Sequence, residues 1–226
     1  MRPEKLMTRL INVVAISLCV AACAANPNAR KGPAADTPYE AADAGYLVYA
    51  VGTVRGFGMR FSFPYTRVET PDGESIEDWR GRIRPHVGGA IYLTVQQPDF
   101  EGFETGHVVT RPLPAGKFAI TDFEFFGSGI AGSYEWNSAV PFTMEFDIQP
   151  GRATYIGSFM RSLTPDGYQQ ALGAAGYFLV SNRASRDVPI AISRLPDSVS
   201  VVEQVTDVDQ FDSIVLRSKA LEPETP

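Results

Sequence analysis

The stretch "PFTMEFDI", residues 141 to 148, decides the predicted fold. Every second residue in it is large and apolar, namely Phe142, Met144, Phe146 and Ile148. Successive side chains of a β-strand point to opposite faces, so this period of two predicts a strand with one buried and one solvent-facing side. The stretch "FGMRFSF", residues 57 to 63, shows the same period with Phe57, Met59, Phe61 and Phe63. The sequence therefore predicts a domain built from half-buried strands.

Further strands are predicted outward from these two stretches, at 46–54, 89–96, 107–111, 117–126, 131–136, 154–163 and 177–181. Turn signals rich in Pro, Gly and Asp separate them, among them "TPDGE", "QQPDFEG", "PLPAG" and "QPG". A single helix is predicted over 183–195, with Val188, Ile192 and Leu195 on one face and Pro196 ending it. Many short strands at this spacing favour an all-β fold, an antiparallel β-sandwich with one short C-terminal helix.

The N-terminal segment 1–22 has the organisation of a secretory signal peptide. Arg2, Lys5 and Arg9 precede a mostly apolar run over 10–22, which ends in small residues. At about 13 residues the run is shorter than the roughly 20 that a helix needs to cross a hydrocarbon core. The segment is therefore predicted to be a targeting device and not a membrane span.

The end of this segment carries Cys23, one of only 2 cysteines in the chain. Val20-Ala21-Ala22-Cys23 resembles the lipobox of bacterial lipoproteins. That resemblance implies that the Cys23 sulfur receives a diacylglyceryl group, that the chain is cut before Cys23, and that the new amine is acylated. In the alternative, Ala22-Cys23-Ala24 fits the small-x-small pattern of ordinary processing, which gives a soluble secreted protein. Ala24 after the cysteine resembles the outer-membrane class, and the choice between the two membranes stays open.

Composition divides the remaining chain into a tether, a domain and a tail. Residues 23–44 are rich in Ala, Pro, Asn and Asp and are predicted to be a disordered tether; 45–217 form the domain and 218–226 a disordered tail. The formal net charge is −6, and the densest basic stretch, 79–86, alternates its arginines as on one solvent-facing side of a strand. Nucleic acid is therefore not expected as a partner. No cysteine follows Cys23, which excludes disulfides and a thiol nucleophile in the domain.

Two stretches suggest a family for the domain. "LPAGKFAI", residues 113 to 120, and "FDIQPGRATYIGSF", residues 146 to 159, resemble a prealbumin-like or carboxypeptidase-regulatory-like β-sandwich module of bacterial lipoproteins of unassigned function. The resemblance covers about residues 88 to 181. It implies a prealbumin-like or immunoglobulin-like sandwich and supplies no catalytic residue.

Motifs for catalysis or cofactors are weak. "GSGIAG", residues 127 to 132, matches a dinucleotide-binding pattern, but a strand pattern follows where a helix is needed, so a hairpin loop is predicted. A Ser-His-Asp triad would have to use His86 or His107, the only histidines, and each is expected to be an ordinary surface or strand-edge residue. We therefore predict no catalytic residue, no metal and no cofactor.

The loop "PDFEGFETGH", residues 98 to 107, is the most informative polar stretch. It gathers Asp99, Glu101, Glu104 and His107 around Phe100 and Phe103. Its acids lack the order of a standard calcium loop and are expected to face solvent. Its two phenylalanines are predicted either to fold back onto the sandwich as a lid or to form a partner-binding patch.

The expected function is a non-enzymatic binding or assembly module of the bacterial envelope. The chain would be held to the bilayer by acylated Cys23, would face the periplasm, and would bind an envelope protein through Phe100 and Phe103. One alternative is an envelope hydrolase or metal-dependent enzyme that uses His107 with the nearby acids. Another is a carbohydrate- or peptidoglycan-binding module that stacks sugars on Trp79 or Trp136. The oligomeric state stays open.

Overall fold

The structure is a computed structural model that describes residues 39–54, 60–72, 79–84, 97–129, 132–138, 141–162, 177–211 and 216–218. The predicted signal peptide, Cys23, most of the tether, His86, the strand expected at 89–96 and the C-terminal tail lie outside these residues.

The described residues are mostly β-structure. Their strands are β1 Gly45–Val54, β2 Arg60–Glu69, β3 Arg80–Ile83, β4 Glu104–Leu113, β5 Gly116–Ile120, β6 Glu124–Gly129, β7 Gly132–Asn137, β8 Met144–Ile148, β9 Arg152–Ser162, β10 Tyr177–Ser181, β11 Ser200–Glu203 and β12 Leu216–Ser218. An α-helix, α1, spans Ala184–Ile192, and a 3₁₀ turn spans Val208–Gln210.

The strands form two sheets of six strands each. The first has the order β12-β10-β9-β1-β4 with β11 also beside β9, and the second has the order β7-β6-β2-β5-β8 with β3 also beside β2. The second sheet is antiparallel throughout its described pairs. The first sheet is mixed, because β9 runs parallel to β1 and β11, and β10 runs parallel to β12. The prediction of a wholly antiparallel sandwich was wrong for this sheet, since an apolar period of two marks the faces of a strand but not its neighbours.

The core between the sheets is rich in aromatic rings and includes six residues that the sequence pattern marks, namely Phe61, Phe63, Phe142, Met144, Phe146 and Ile148, while Phe57 and Met59 lie outside the described residues. Phe63 of β2 lies 4.4 Å from Phe178 of β10, measured between ring centroids. Phe118 of β5 stacks on Phe146 of β8 at 5.5 Å. In the stretch 141–148 the four apolar residues are buried and the polar residues between them are exposed. The predicted period and face of this strand are confirmed, and the two-sheet arrangement is consistent with a sandwich.

The outer face of the first sheet is covered by α1. Ala191 and Leu195 pack there against a second apolar cluster that includes Val48 and Tyr155. The predicted face of the helix was wrong in part, because the buried residues within α1 are Asp187 and Ala191 while Ile192 is 54% exposed. An apolar pattern cannot predict a buried aspartate, because burial of its charge is stable only when distant residues supply hydrogen-bond or charge partners.

Several boundaries also differ from those predicted. The expected strand 117–126 is two strands, β5 and β6, because the chain turns at Asp122, whose carboxylate accepts the N–H groups of Phe123 and Ser138 at 2.8 Å each. The short strands β11 and β12 were not predicted as strands, whereas β3 lies within the arginine stretch 79–86 that was interpreted as a strand. Residues 39–44, assigned to the tether, contact the domain, with Tyr39 edge-on to Trp79 at 5.3 Å.

Candidate binding site

The loop 98–107 is a tight hairpin whose second arm, from Glu104 onward, is the start of β4. The Asp99 N–H donates to the Gly106 carbonyl at 2.9 Å, and the Gly106 N–H donates to the Phe100 carbonyl at 3.1 Å. Its tip contains Gly102, whose φ of 134° is a conformation that favours glycine. A methyl group added there would meet no described atom within 4 Å beyond its chain neighbours. The tip therefore projects from the surface, while its base is closed by backbone hydrogen bonds.

Asp99 fixes one end of the loop. Its carboxylate accepts the Val108 N–H at 2.8 Å and forms an ion pair with Arg194, just beyond α1. The His107 Nδ1 lies 4.0 Å from the same carboxylate. Burial acts to raise the pKa of Asp99, but the hydrogen bonds from Arg194 and Val108 outweigh it and hold the pKa below its ordinary value. Asp99 is therefore an anchor for the loop and carries a stable negative charge.

Glu104 fixes the other side of the tip. The residue is only 7% exposed, and its two carboxylate oxygens face Arg183 Nη2 at 3.2 Å and Arg186 Nη1 at 2.8 Å. Asp99 and Glu104, two of the three acids that the sequence suggested as metal ligands, are thus engaged by arginines. Among the described residues no group of three or more His, Cys, Asp or Glu is placed to hold a metal ion.

Arg186 is the centre of this region. Its Nε donates to Asp187 Oδ1 at 2.7 Å and its Nη2 donates to Ser158 Oγ at 3.1 Å. The guanidinium carbon lies 3.6 Å from the centroid of the Phe100 ring, a cation–π contact. Burial acts to lower the pKa of Arg186, but the hydrogen bonds and charges of Asp187 and Glu104 outweigh it and raise that pKa. Arg186 is therefore a permanent cation shared between sheet, helix and loop.

The network reaches the sheet through Tyr155 of β9. The Tyr155 hydroxyl donates to Asp187 Oδ2 at 2.6 Å and accepts the Arg183 N–H at 3.2 Å. Burial, and then the adjacent carboxylate of Asp187, raise the pKa of the Tyr155 hydroxyl well above its ordinary value. The hydroxyl therefore stays protonated as a donor. This is the chemistry of a structural anchor and not that of a general base.

The structure separates the two phenylalanines that the sequence treated alike. Phe100 is partly buried against the apolar cluster under α1, and a methyl group added at Gly106 would approach its Cζ to 2.9 Å. Its ring thus lies between β4 and Arg186. Phe103, by contrast, is 45% exposed at the tip. Other large apolar residues exposed within the described parts are Val68, Ile192 and Val202.

The other candidate residues from the sequence that are described next lie away from the loop 98–107 and α1. Trp79 is partly buried against the core between the sheets. Arg82, one of the alternating arginines, pairs with Glu124 on the outer face of the second sheet. A separate shallow groove of about 230 Å³ lies where β5 begins and β8 ends, beside Lys117, whose Nζ is 3.8 Å from Glu145.

The arginines and Asp187 of α1 were missed as site residues. The contacts of Glu104 with Arg183 and Arg186 span 79 and 82 residues, and that of Asp99 with Arg194 spans 95. The only signal in the sequence is a loop rich in acids and a distant segment rich in arginines. Opposite charges in two segments suggest that the segments attract each other, but they do not predict which arginine pairs with which acid.

No protein-family model, curated protein or solved structure matches this chain. Within the described residues, no helix has the length and apolar character needed to cross a membrane.

Proposed function

We propose that this chain is a lipid-anchored lipoprotein of the bacterial envelope that faces the periplasm and acts as a non-enzymatic binding or assembly module. The membrane anchor is acylated Cys23, and its support is the lipobox-like Val20-Ala21-Ala22-Cys23. The partner is an envelope protein that receives the Phe103 tip. The observation that carries this proposal is the 45% exposure of Phe103 on a hairpin whose base is held by backbone bonds and ion pairs.

An exposed aromatic ring on a held hairpin suits protein recognition. Burying a large ring in a partner's apolar pocket removes much apolar surface from water, and such rings commonly contribute most of the affinity of an interface. The entropy lost on binding is smaller when the loop is ordered before the encounter. The exposed carboxylate of Glu101 near the ring helps to keep the tip soluble in the unbound protein.

For the fold, we propose a prealbumin-like or carboxypeptidase-regulatory-like sandwich. The supporting features are the two turns that carried the resemblance. Gly116, at the start of β5, has a φ of 140°, and Gly151, before β9, has a φ of 66°. An immunoglobulin-like sandwich is the alternative, and the parallel pairs of β9 depart from its antiparallel pairing.

The enzymatic alternative has less support. It would use His107 with Asp99 and Glu104, yet both acids are engaged by arginines, as described above. The carbohydrate alternative would need a free aromatic platform, and Trp79 is partly buried with Tyr39 against its ring. A His107→Ala variant tests the first alternative, since loss of cellular function with partner capture preserved would favour catalysis.

The anchor is tested with Cys23→Ser. We expect this variant to leave the membrane fraction or to remain unprocessed, because only the cysteine sulfur can form the thioether to the lipid. Cell fractionation and the mass of the mature N-terminus measure this. An unlipidated mature chain that begins after Cys23 in the unaltered protein would refute the anchor.

The tip is tested by capture from chemically crosslinked envelopes. Phe103→Ser should abolish co-purification of a specific partner. Val68→Ser is the matched control, because Val68 is also an exposed apolar residue, at 37%, but lies on β2. Equal capture by both variants and the unaltered chain would refute the role of the tip.

A further inference from the structure

The contacts of the loop with α1 converge on one side chain. Glu104, from the base of the tip, and Phe100, from the first half of the loop, both contact the guanidinium of Arg186, at 2.8 Å and 3.6 Å. Asp187, next to Arg186 on α1, binds Tyr155 of the sheet at 2.6 Å. A continuous set of contacts therefore joins the first sheet to α1 and α1 to the loop.

We propose that Arg186 is a positioning residue that couples the loop carrying Phe103 to α1, so that the loop and the helix open and close as one unit. The inference deepens the proposed function, on which it rests only for the role of the tip as a binding element. The tip is held in place by contacts from α1. Binding of a partner at the tip and docking of α1 on the sheet therefore stabilise each other.

Energetics favour joint opening over independent opening. If the loop lifted alone, Arg186, whose side chain is 26% exposed with the loop in place, would keep Asp187 and Ser158 but would lose both Glu104 and the Phe100 ring. If α1 lifted alone, Glu104, with 5% of its side chain exposed, would lose both Arg183 and Arg186. A buried charge that loses its partner is strongly unfavourable, so each segment opposes the separate opening of the other. Coupling of this kind is reciprocal by thermodynamic necessity.

Hydrogen exchange of the full-length chain tests the coupling. In Arg186→Ala, we expect the amides of residues 99–107 and of α1 to exchange about tenfold faster or more, since both segments lose a shared contact. Amides of β5 and β8 in the second sheet should keep their rates. Arg152→Ala is the matched control, because Arg152 is an exposed arginine whose side chain donates to Gln149, away from the loop and α1, and should alter neither segment.

A second variant distinguishes loss of the coupling from general misfolding. Phe100→Leu leaves every charge of the network in place and removes only the ring that lies against Arg186. The coupling predicts faster exchange in α1, although no residue of α1 has changed. Arg186→Lys retains a cation near Glu104 and Phe100 and should restore part of the protection lost in Arg186→Ala.

The outcomes separate this inference from the proposed function. Unchanged exchange of α1 in Phe100→Leu would overturn the coupling, and so would equal acceleration of the second sheet in every variant, which would mean general destabilisation. Phe103→Ser should change exchange of both segments less than Phe100→Leu does, since Phe103 is 45% exposed while the Phe100 ring lies against Arg186. Loss of partner capture in Phe103→Ser without coupling in the other variants would leave the proposed function intact and refute only the role of Arg186.

Discussion

The two sides of the first sheet are stabilised by different chemistry. Its inner face meets the second sheet through rings such as Phe159 and Phe178, whose centroids lie 5.1 and 4.4 Å from that of Phe63 on β2. Its outer face meets α1 through a smaller apolar cluster together with the buried polar network of Tyr155, Asp187 and Arg186. Apolar packing is tolerant of exact partner identity, whereas a buried charge network requires particular partners in particular places.

This difference indicates where stability and specificity reside. The aromatic core between the sheets removes most apolar surface from water and should dominate the free energy of unfolding. The network on the outer face satisfies charges that burial would otherwise penalise, and its main effect is to fix the positions of α1 and the loop. The proposed binding tip belongs to the second region.

The largest expected effect is in the core. Phe146→Ala should lower the free energy of unfolding by about 3 to 5 kcal/mol, because the ring is buried and stacks on Phe118. Glu145→Ala, on the exposed side of the same strand, should change it by no more than about 0.5 kcal/mol. Denaturant midpoints measure both. Equal effects would mean that the face of β8 is assigned wrongly.

The second-largest loss of unfolding free energy is expected from removing a residue of the buried polar network. Asp187→Ala should cost about 3 kcal/mol, because it leaves the buried Tyr155 hydroxyl and part of the charge of Arg186 without their acceptor. Its effect should appear first in exchange of α1 and the loop and only later in the second sheet. A cost within about 0.5 kcal/mol would show that the network has no energetic role.

The two phenylalanines of the loop should differ. Phe100→Ser should lower the free energy of unfolding by about 1 to 2 kcal/mol, since its ring is partly buried against α1 and Arg186. Phe103→Ser should stay within about 0.5 kcal/mol. Thermal and chemical unfolding of the two single variants measure the contrast. A large loss for Phe103→Ser would make the tip an intramolecular contact.

The smallest expected effect is the contribution of the Asp99 carboxylate to stability, which depends on pH. The lowered pKa of Asp99 means that its carboxylate stabilises the folded state above its ordinary pKa of 3.8, and that this contribution is lost as the pH falls through the lower folded value. Asp99→Asn should therefore be less stable than the unaltered chain by less than about 1 kcal/mol near pH 6 and equally stable near pH 2. Unfolding midpoints from pH 2 to 6 would show the gap closing. A gap of constant size would mean that the charge of Asp99 does not contribute.

The aromatic core could be predicted from the sequence, whereas the buried polar network of Tyr155, Asp187 and Arg186 could not. A period of two follows directly from strand geometry, so Phe142, Phe146 and their neighbours could be placed on a face without knowing the partner strand. The parallel pairing of β9 with β1 could not be predicted, because alternation carries no information on order or direction. Arg186 could not be paired with Glu104 either, since nothing local relates residues so far apart in the chain.

The candidate site was predicted in part. The loop 98–107 was singled out because aromatic and acidic residues alternate in it, and the structure places it at the surface beside α1. The sequence could not distinguish Phe100 from Phe103, because both lie in the same polar setting. The structure separates them, because Phe100 lies against Arg186 and the apolar cluster under α1 while Phe103 is 45% exposed.

A photoreactive phenylalanine analogue incorporated at position 103 in living cells tests the central claim most directly. The proposed function predicts one discrete crosslinked species in the envelope fraction. The same analogue at position 68, on β2, should not give that species, although both positions are exposed. No discrete species from position 103, or the same species from both positions, would contradict the account.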